Sequence, residues 1–254
     1  MKVAVISDPH GDLVALRVVM ADLEARRPDH VLVAGDLVQG GPQPAEVLDE
    51  LESKGWPIAR GNSDDLLVNL ANGRPLGFKA TPELLARGHW TIARLGTNRL
   101  ARLEALPAEI RRPWAPNGSL VVVHATPWST EEVVLADASD QMARRMVTEA
   151  SAAVLAYGHI HSPYHRRVDD SVLLSVGAIS GSNDVDGRPA YTMLTMDQTF
   201  VTVEVIRVEC PLGPQLDAYL QAGLEATQRD RDRLEGAGTW PLRAPDGKVI
   251  QVWP

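Results

Sequence analysis

Five short apolar runs, each followed at once by polar residues, constrain the fold of this 254-residue chain more than any other feature. Such runs of four or five residues are typical of buried strands, and helical patterns between the first of them indicate βαβ units. Polar residues that follow the strands then gather at one edge of a sheet. The runs cover residues 3–6, 31–34, 56–59, 120–123 and 152–156.

The first and last runs are each followed by a pair of polar side chains two residues apart. Asp8 and His10 follow the first run, and His159 and His161 follow the last. Residues two apart on a strand point to the same side, so we expect each pair to converge if the chain stays extended past the strand. Carboxylate and imidazole are ligands that suit mid-series divalent metals.

The remaining runs lead into Gly35-Asp36, into Arg60-Gly-Asn-Ser-Asp64 and into His124. The resulting order D-x-H, G-D, G-N-x-D, H and G-H-x-H resembles the calcineurin-like metallophosphoesterases, in particular their compact bacterial and archaeal phosphodiesterase-like branch. The resemblance covers roughly the first 200 residues, because small-residue turns at Ser175-Val-Gly177 and Ser180-Gly-Ser182 also fit it.

The resemblance implies an α/β fold, a four-layer α/β/β/α sandwich of two mixed β-sheets flanked by helices. The metallophosphoesterase domain would span residues 1–210, and residues 211–254 would form a C-terminal helix and tail packed on it. Residues 72–118 carry none of the motifs and are expected to form a small helical cap insertion beside the site, or else plain helices that complete the fold. The expected helices cover about 82–94, 98–105 and 216–234.

Carried over position by position, the resemblance implies seven ligands for two divalent ions, three for each ion and one that bridges them. They are Asp8, His10 and His161 for the first ion, Asn62, His124 and His159 for the second, and Asp36 between them. These nitrogen and oxygen donors suit manganese, iron, cobalt, nickel or zinc, and manganese is favoured. The implied reaction is in-line attack on a phosphate ester by a hydroxide held between the ions.

Two further residues of the G-N motif are expected to take part in catalysis with Asp36, Asn62 and His124. Arg60 resembles the family arginine that contacts the substrate phosphate, for which its fork of donors is suited. The alternative is a salt bridge from Arg60 to Asp64 or Asp65. Asp64 is expected to form hydrogen bonds around the site without binding metal itself.

Ser63 departs from the family pattern, since many members carry a histidine there that protonates the leaving group. A serine hydroxyl is a poor proton donor near neutral pH, and general acid catalysis contributes typically ~10²–10⁴-fold. This argues against protein-phosphatase activity, and the branch that the chain resembles, which often lacks that histidine, implies phosphodiesters or activated esters as substrates. His89, in the expected cap, is the one residue that the sequence offers as a substitute acid.

Composition narrows the class of partner. A net charge of −8 argues against a generic nucleic-acid-binding surface, and no run approaches the ~20 apolar residues of a membrane span. Cys210 is the only cysteine, so no intrachain disulfide can form, which fits a reducing cytoplasm. We expect a cytoplasmic protein that acts on a small phosphorylated substrate away from membranes.

Two other functions fit the same motifs. The site would also serve a hydrolase of nucleotides or dinucleoside polyphosphates, with the cap selecting the base. Some relatives are non-catalytic, metal-binding protein scaffolds, but those tend to lose ligands and all seven positions are filled here. The sequence leaves the physiological substrate, the native metal and the oligomeric state open.

Overall fold

A computed structural model of the chain describes residues 1–114, 118–184, 186–198, 200–226, 230–231 and 250–252. The strands are β1 (Lys2–Ile6), β2 (His30–Val33), β3 (Glu109–Trp114), β4 (Gly118–Val123), β5 (Val154–Tyr157), β6 (Tyr164–Val168), β7 (Ser171–Ser175), β8 (Ala190–Met196), β9 (Val201–Arg207) and β10 (Ile250–Val252). The helices are α1 (Leu13–Arg26), α2 (Pro44–Ser53), α3 (Asn62–Ala71), α4 (Pro82–Glu104), α5 (Asp140–Glu149) and α6 (Leu212–Gln221).

The strands form two mixed sheets. The first has the order β10-β9-β8-β1-β2, and the second has the order β3-β4-β5-β7-β6. Strand β1 runs parallel to β2, and β5 runs parallel to both β4 and β7, whereas the other pairings are antiparallel. The parallel strands that precede the motif residues therefore end on the same side of each sheet.

Alternate residues of the central strands divide the core into layers. On β1, Val3 and Val5 lie in the core between the sheets, whereas Ala4 and Ile6 face a second core that includes buried residues of α1 to α4. Strand β4 alternates in the same way between the inter-sheet core and a third core against α5. Because both faces of these strands are buried, their sequences are continuously apolar. The expected four-layer α/β/β/α sandwich is confirmed.

The expected cap is only partly helical. Helix α4 is one long helix broken at Gly96, where the backbone adopts φ 67° and ψ 174°, so it covers both short helices expected there. Residues Glu109–Trp114, within the expected insertion, form β3, an edge strand paired with β4 that the sequence did not predict. Ile110 and Trp114 lie on the same face of β3, as the two-residue period of a strand allows, and both pack into the inter-sheet core. This burial stabilises the segment as a strand.

The C-terminal segment also differs from the expected helix at 216–234. Helix α6 covers Leu212–Gln221 and residues 222–226 are not helical, whereas 227–229 and 232–234 lie outside the described residues. The Gln215 side chain of α6 donates a hydrogen bond of 2.6 Å to Asp12, which also caps α1 by accepting from the Ala15 amide. No helix in the described part of the chain combines the length and apolarity needed to cross a bilayer.

We expect Gly96→Ala to lower the free energy of unfolding by about 1–3 kcal/mol, because only glycine tolerates this backbone conformation without strain. An added Cβ at Gly96 meets nothing within 4 Å, so the loss would come from the backbone alone. The matched control is Gly213→Ala in α6, which also has open space but no positive φ. That variant should be unchanged or up to about 1 kcal/mol more stable. Urea denaturation measures both, and equal stabilities would show that the break in α4 is not present.

Candidate metal centre

Asp8, His10 and His161 converge at one end of β1. The Nε2 atoms of His10 and His161 lie 3.0 Å apart. Asp8 Oδ1 lies 3.2 Å from His161 Nε2 and 3.7 Å from His10 Nε2. These three side chains form a compact group whose donor atoms could all contact one cation.

Asn62, His124 and His159 converge beside them. Asn62 Oδ1 lies 2.9 Å from His124 Nε2 and 3.0 Å from His159 Nδ1. The amide oxygen therefore sits between two imidazoles that come from the ends of different strands, β4 and β5. Asn62 itself is the first residue of α3, which fixes its position relative to the sheet.

Asp36 lies between the two groups. Its Oδ1 is 3.3 Å from His124 Nε2, and its Oδ2 is 3.7 Å from His10 Nε2. The carboxylate thus presents one oxygen to each group, as a bridging ligand would. The Ser63 amide donates to Oδ1 at 2.8 Å, which holds the side chain in this orientation.

The side chains converge through left-handed turns. Five of the seven expected ligands have positive φ, between 47° and 65°. They are Asp8, His10, Asp36, His159 and His161. The side chains therefore meet without the extended chain that the sequence argument took as its condition. Non-glycine residues rarely adopt this conformation, and such strain persists where the surrounding structure enforces it, often at functional sites.

The imidazole tautomers direct lone pairs into the centre. His10, His124 and His161 each place Nδ1 at 2.6–2.7 Å from a backbone carbonyl oxygen, which can only accept. Each Nδ1 therefore carries the proton, and each Nε2 of the neutral ring presents a lone pair. Two lone pairs at 3.0 Å repel unless a cation or a proton lies between them. The donor set fits a divalent metal, and this carbonyl contact is the usual support for a metal-binding histidine.

The electrostatics of the buried carboxylates also require positive charge. Asp8 is fully buried, and its Oδ1 makes no hydrogen bond. Burial alone would raise the pKa of Asp8, but nearby imidazoles, His161 first, hold it well below its ordinary range. Burial opposes charging of His124, yet the Asp36 and Asp8 carboxylates raise its pKa. Without a metal ion, the carboxylates and the protonated imidazoles thus stabilise each other's charged forms.

Glycines of the motifs let the backbone pass against the carboxylates. A Cβ at Gly61 would lie 2.1 Å from Asp36 Oδ1, and one at Gly158 would lie 2.6 Å from Asp8 Oδ2. A Cβ at Gly41 would lie 2.4 Å from the His10 carbonyl oxygen. Because real Cβ atoms do not approach so closely, only glycine fits at these positions.

Asp64 holds the Asp36 loop in place. Its carboxylate is fully buried and accepts hydrogen bonds from the amides of Asp36, Leu37 and Gly61 at 2.9–3.0 Å. Burial, and then the charge of Asp36, raise the pKa of Asp64 to about 7. Its contacts are to backbone amides, in line with the expected supporting role.

A cavity of about 480 Å³ opens beside these side chains. His10, Asp36, Asn62, His159 and His161 line it, and so does Ser63, whose buried hydroxyl makes no hydrogen bond. Gln39 and Arg87 also line the cavity, and sequence reasoning did not single them out. The one available signal for Gln39 was its position three residues after Asp36.

Arg60 and His89 do not line the cavity. Arg60 Nε lies 2.8 Å from Asp65 Oδ1, and its Nη1 donates to the Glu104 carbonyl at 3.0 Å. The salt bridge that the sequence left open as the alternative is therefore what the structure shows for Arg60, and its contact with phosphate stays a prediction. His89 lies on the exposed side of α4, away from the place of the missing acid.

We expect Asp64→Asn to lower the free energy of unfolding by about 1.5–3 kcal/mol. Both oxygens accept amide hydrogens, so whichever one becomes an NH₂ group would face a donor. The matched control is Asp65→Asn, which weakens a partly exposed ion pair to Arg60 and should cost less than about 1 kcal/mol. Chemical denaturation of metal-free protein measures both, and equal losses would contradict the role given to Asp64.

Comparisons with known proteins agree with this geometry. Residues 1–199 match the model of the calcineurin-like phosphoesterase superfamily domain. A metallophosphoesterase from Sphaerobacter thermophilus is similar in structure, with TM-score 0.75, 25% identity, and 93% of this chain and 99% of that chain covered. The comparison with curated proteins finds no match.

Two structures with lower sequence identity share the fold. A hypothetical protein from Pyrococcus horikoshii has TM-score 0.79 at 17% identity, over 93% of this chain and 98% of that chain. Vps29 from Entamoeba histolytica, solved with Zn²⁺, has TM-score 0.51 at 17% identity, over 83% of this chain and 97% of that chain. Since the family model spans most of the sequence, the chain belongs to the calcineurin-like phosphoesterase superfamily.

Proposed function

We propose that this phosphoesterase-family chain is a dinuclear-metal-dependent phosphodiesterase. The observation that carries the proposal is the arrangement of imidazole lone pairs and carboxylate oxygens on both sides of Asp36. Membership of a divalent-metal-dependent family supports a hydrolase of phosphate esters in general. The preference for diesters rests on Ser63, which lines the cavity where many family members have a histidine.

The proposed ligands follow the two groups of side chains. One ion would be held by Asp8, His10 and His161, the other by Asn62, His124 and His159, and both by Asp36. When bound, such a pair of ions supplies charge stabilisation for phosphoryl oxygens and an activated water. The nitrogen and oxygen donors favour manganese, iron, cobalt, nickel or zinc, and manganese is our first choice.

The protein's own groups orient the ligands and the substrate. Asp64 and the Ser63 amide fix the Asp36 loop, and backbone carbonyls fix the imidazole rings. The N-terminus of α3, at Asn62 and Ser63, borders the cavity and favours an anion there. The Ser63 hydroxyl can donate a hydrogen bond but is too weak an acid to transfer a proton, so a good leaving group is needed.

A non-catalytic scaffold is the competing function. The fold is shared with Vps29, a likeness that at this identity concerns the fold alone. All seven expected ligands are present here and meet in a centre that requires a cation. A scaffold would not need the strained turns and buried carboxylates that this arrangement maintains, so we favour the enzyme.

We expect two Mn²⁺ ions per chain, measured by calorimetric titration and by metal analysis. Asp36→Asn should weaken both sites and reduce hydrolysis to near background, while the retained Asn oxygen still accepts from the Ser63 amide and preserves the fold. His161→Ala should weaken one site by more than the roughly 10- to 100-fold that loss of a supporting hydrogen bond costs. His89→Ala, on the exposed side of α4, is the control. A stoichiometry of one at saturating metal would contradict the dinuclear centre.

We also expect the wild-type rate to fall steeply as the pKa of the leaving group rises, because Ser63 supplies no proton. A series of aryl and alkyl methyl phosphates, assayed with Mn²⁺, measures this slope. Ser63→His should flatten it and speed poor leaving groups by up to ~10²-fold, whereas Ser63→Ala should not. A flat slope in the wild-type protein would show that another residue donates the proton.

A further inference from the structure

Part of the cavity wall is apolar and lies outside the metal centre. The residues of this apolar wall are Leu66, Phe78, Leu84 and Tyr219. They come from α3, from the segment before α4, from α4 and from α6. A cavity that joins a few polar groups to an apolar wall, at a volume within the usual range of about 300–1,000 Å³, is typical of a small-molecule site.

Phe78 is the distinctive member of this wall. Its residue is 47% exposed, and among the large hydrophobic residues that the structure shows as exposed it is the one that lines the cavity. Leu66 and Tyr219, which line the same cavity, are buried. An exposed ring at a cavity wall can stack on a planar ligand, and such aromatic pairs add to the free energy of apolar burial.

The charges around the wall are mostly negative. Among the described residues and outside the metal centre, three carboxylates line the cavity, from Glu83, Glu131 and Asp230, against one guanidinium, that of Arg87. Arg87 Nη2 lies 3.1 Å from Asp230 Oδ2, so its charge is already balanced. A second phosphate group would be repelled here.

We propose that the apolar wall binds an uncharged aromatic ring attached to the substrate's single phosphate, with Phe78 stacked on that ring. The inference rests on the proposed function, because it places the phosphate at the metal centre. It selects phosphodiesters with an aromatic substituent over dinucleoside polyphosphates, whose further phosphates would meet the carboxylates of the wall.

Binding of phosphonates, which cannot be hydrolysed as esters, tests the aromatic site without turnover. We expect the Mn²⁺-loaded protein to bind phenylphosphonate about tenfold tighter than methylphosphonate in calorimetry. Phe78→Ala should remove most of this preference and leave methylphosphonate binding unchanged. Leu220→Ala is the matched control, because Leu220 is exposed but does not line the cavity. Equal binding of the two phosphonates by the wild-type protein would overturn the inference.

Hydrolysis assays separate this inference from the proposed function. Bis(4-nitrophenyl) phosphate and methyl 4-nitrophenyl phosphate share one leaving group, so a lower KM for the first reports the second ring alone. If both are cleaved with equal KM and Phe78→Ala changes neither, the aromatic site is wrong and the phosphodiesterase stands. If neither is cleaved but the phosphonate preference depends on Phe78, the site stands and the phosphodiesterase is wrong.

A comparison of substrates tests whether the carboxylates that line the cavity disfavour further phosphate groups. Dinucleoside tetraphosphate should be a poorer substrate than bis(4-nitrophenyl) phosphate for the wild-type protein. Glu83→Gln together with Glu131→Gln should raise its kcat/KM severalfold, and by a larger factor than that of the bis-aryl ester, which carries a single negative charge. A wild-type protein that prefers the tetraphosphate would overturn the exclusion of polyphosphates.

Discussion

Buried carboxylates and imidazole lone pairs, brought within about 3 Å of one another, are the constraint on which the rest of this structure depends. Asp8 and Asp36 sit in the centre with little access to water. Such a cluster repels itself until a cation occupies it, so its stability in the empty state must come from its surroundings. Asp64, the backbone carbonyls behind the histidine rings and the glycines that admit the close contacts provide that support.

The four-layer fold holds this buried cluster of carboxylates and imidazoles in place. Ligands come from the ends of strands in both sheets, β1 and β2 in one and β4 and β5 in the other, and both sheets are covered by helices. The apolar core between the sheets fixes their spacing and therefore the distance between the two groups of ligands. Rigid strands position such side chains more accurately than free loops would.

The sequence predicted the sheets, and it predicted side chains that do meet at the centre, because apolar runs and the residues after them are local signals. It could not predict how the ligands converge, since the left-handed turns at Asp8 or His159 leave no mark in polarity or spacing. Strand β3 was missed because Arg111, Arg112 and Pro113 interrupt its apolar pattern, and only pairing with β4 makes it a strand. The partner of Arg60 and the members of the apolar wall depend on tertiary contacts, which no local pattern encodes.

The left-handed turns also limit how this site can evolve. At such a position asparagine, aspartate, histidine and glycine are tolerated far better than other residues, and β-branched or bulky ones are strained. Metal chemistry already favours nearly the same short set of donors, so two independent pressures restrict the substitutions open to His10 or Asp36. Variation that changes specificity is therefore directed to the surroundings of the cavity, around Phe78 and the start of α4, where neither pressure applies. Descendants of this chain would keep the centre and diverge at the wall.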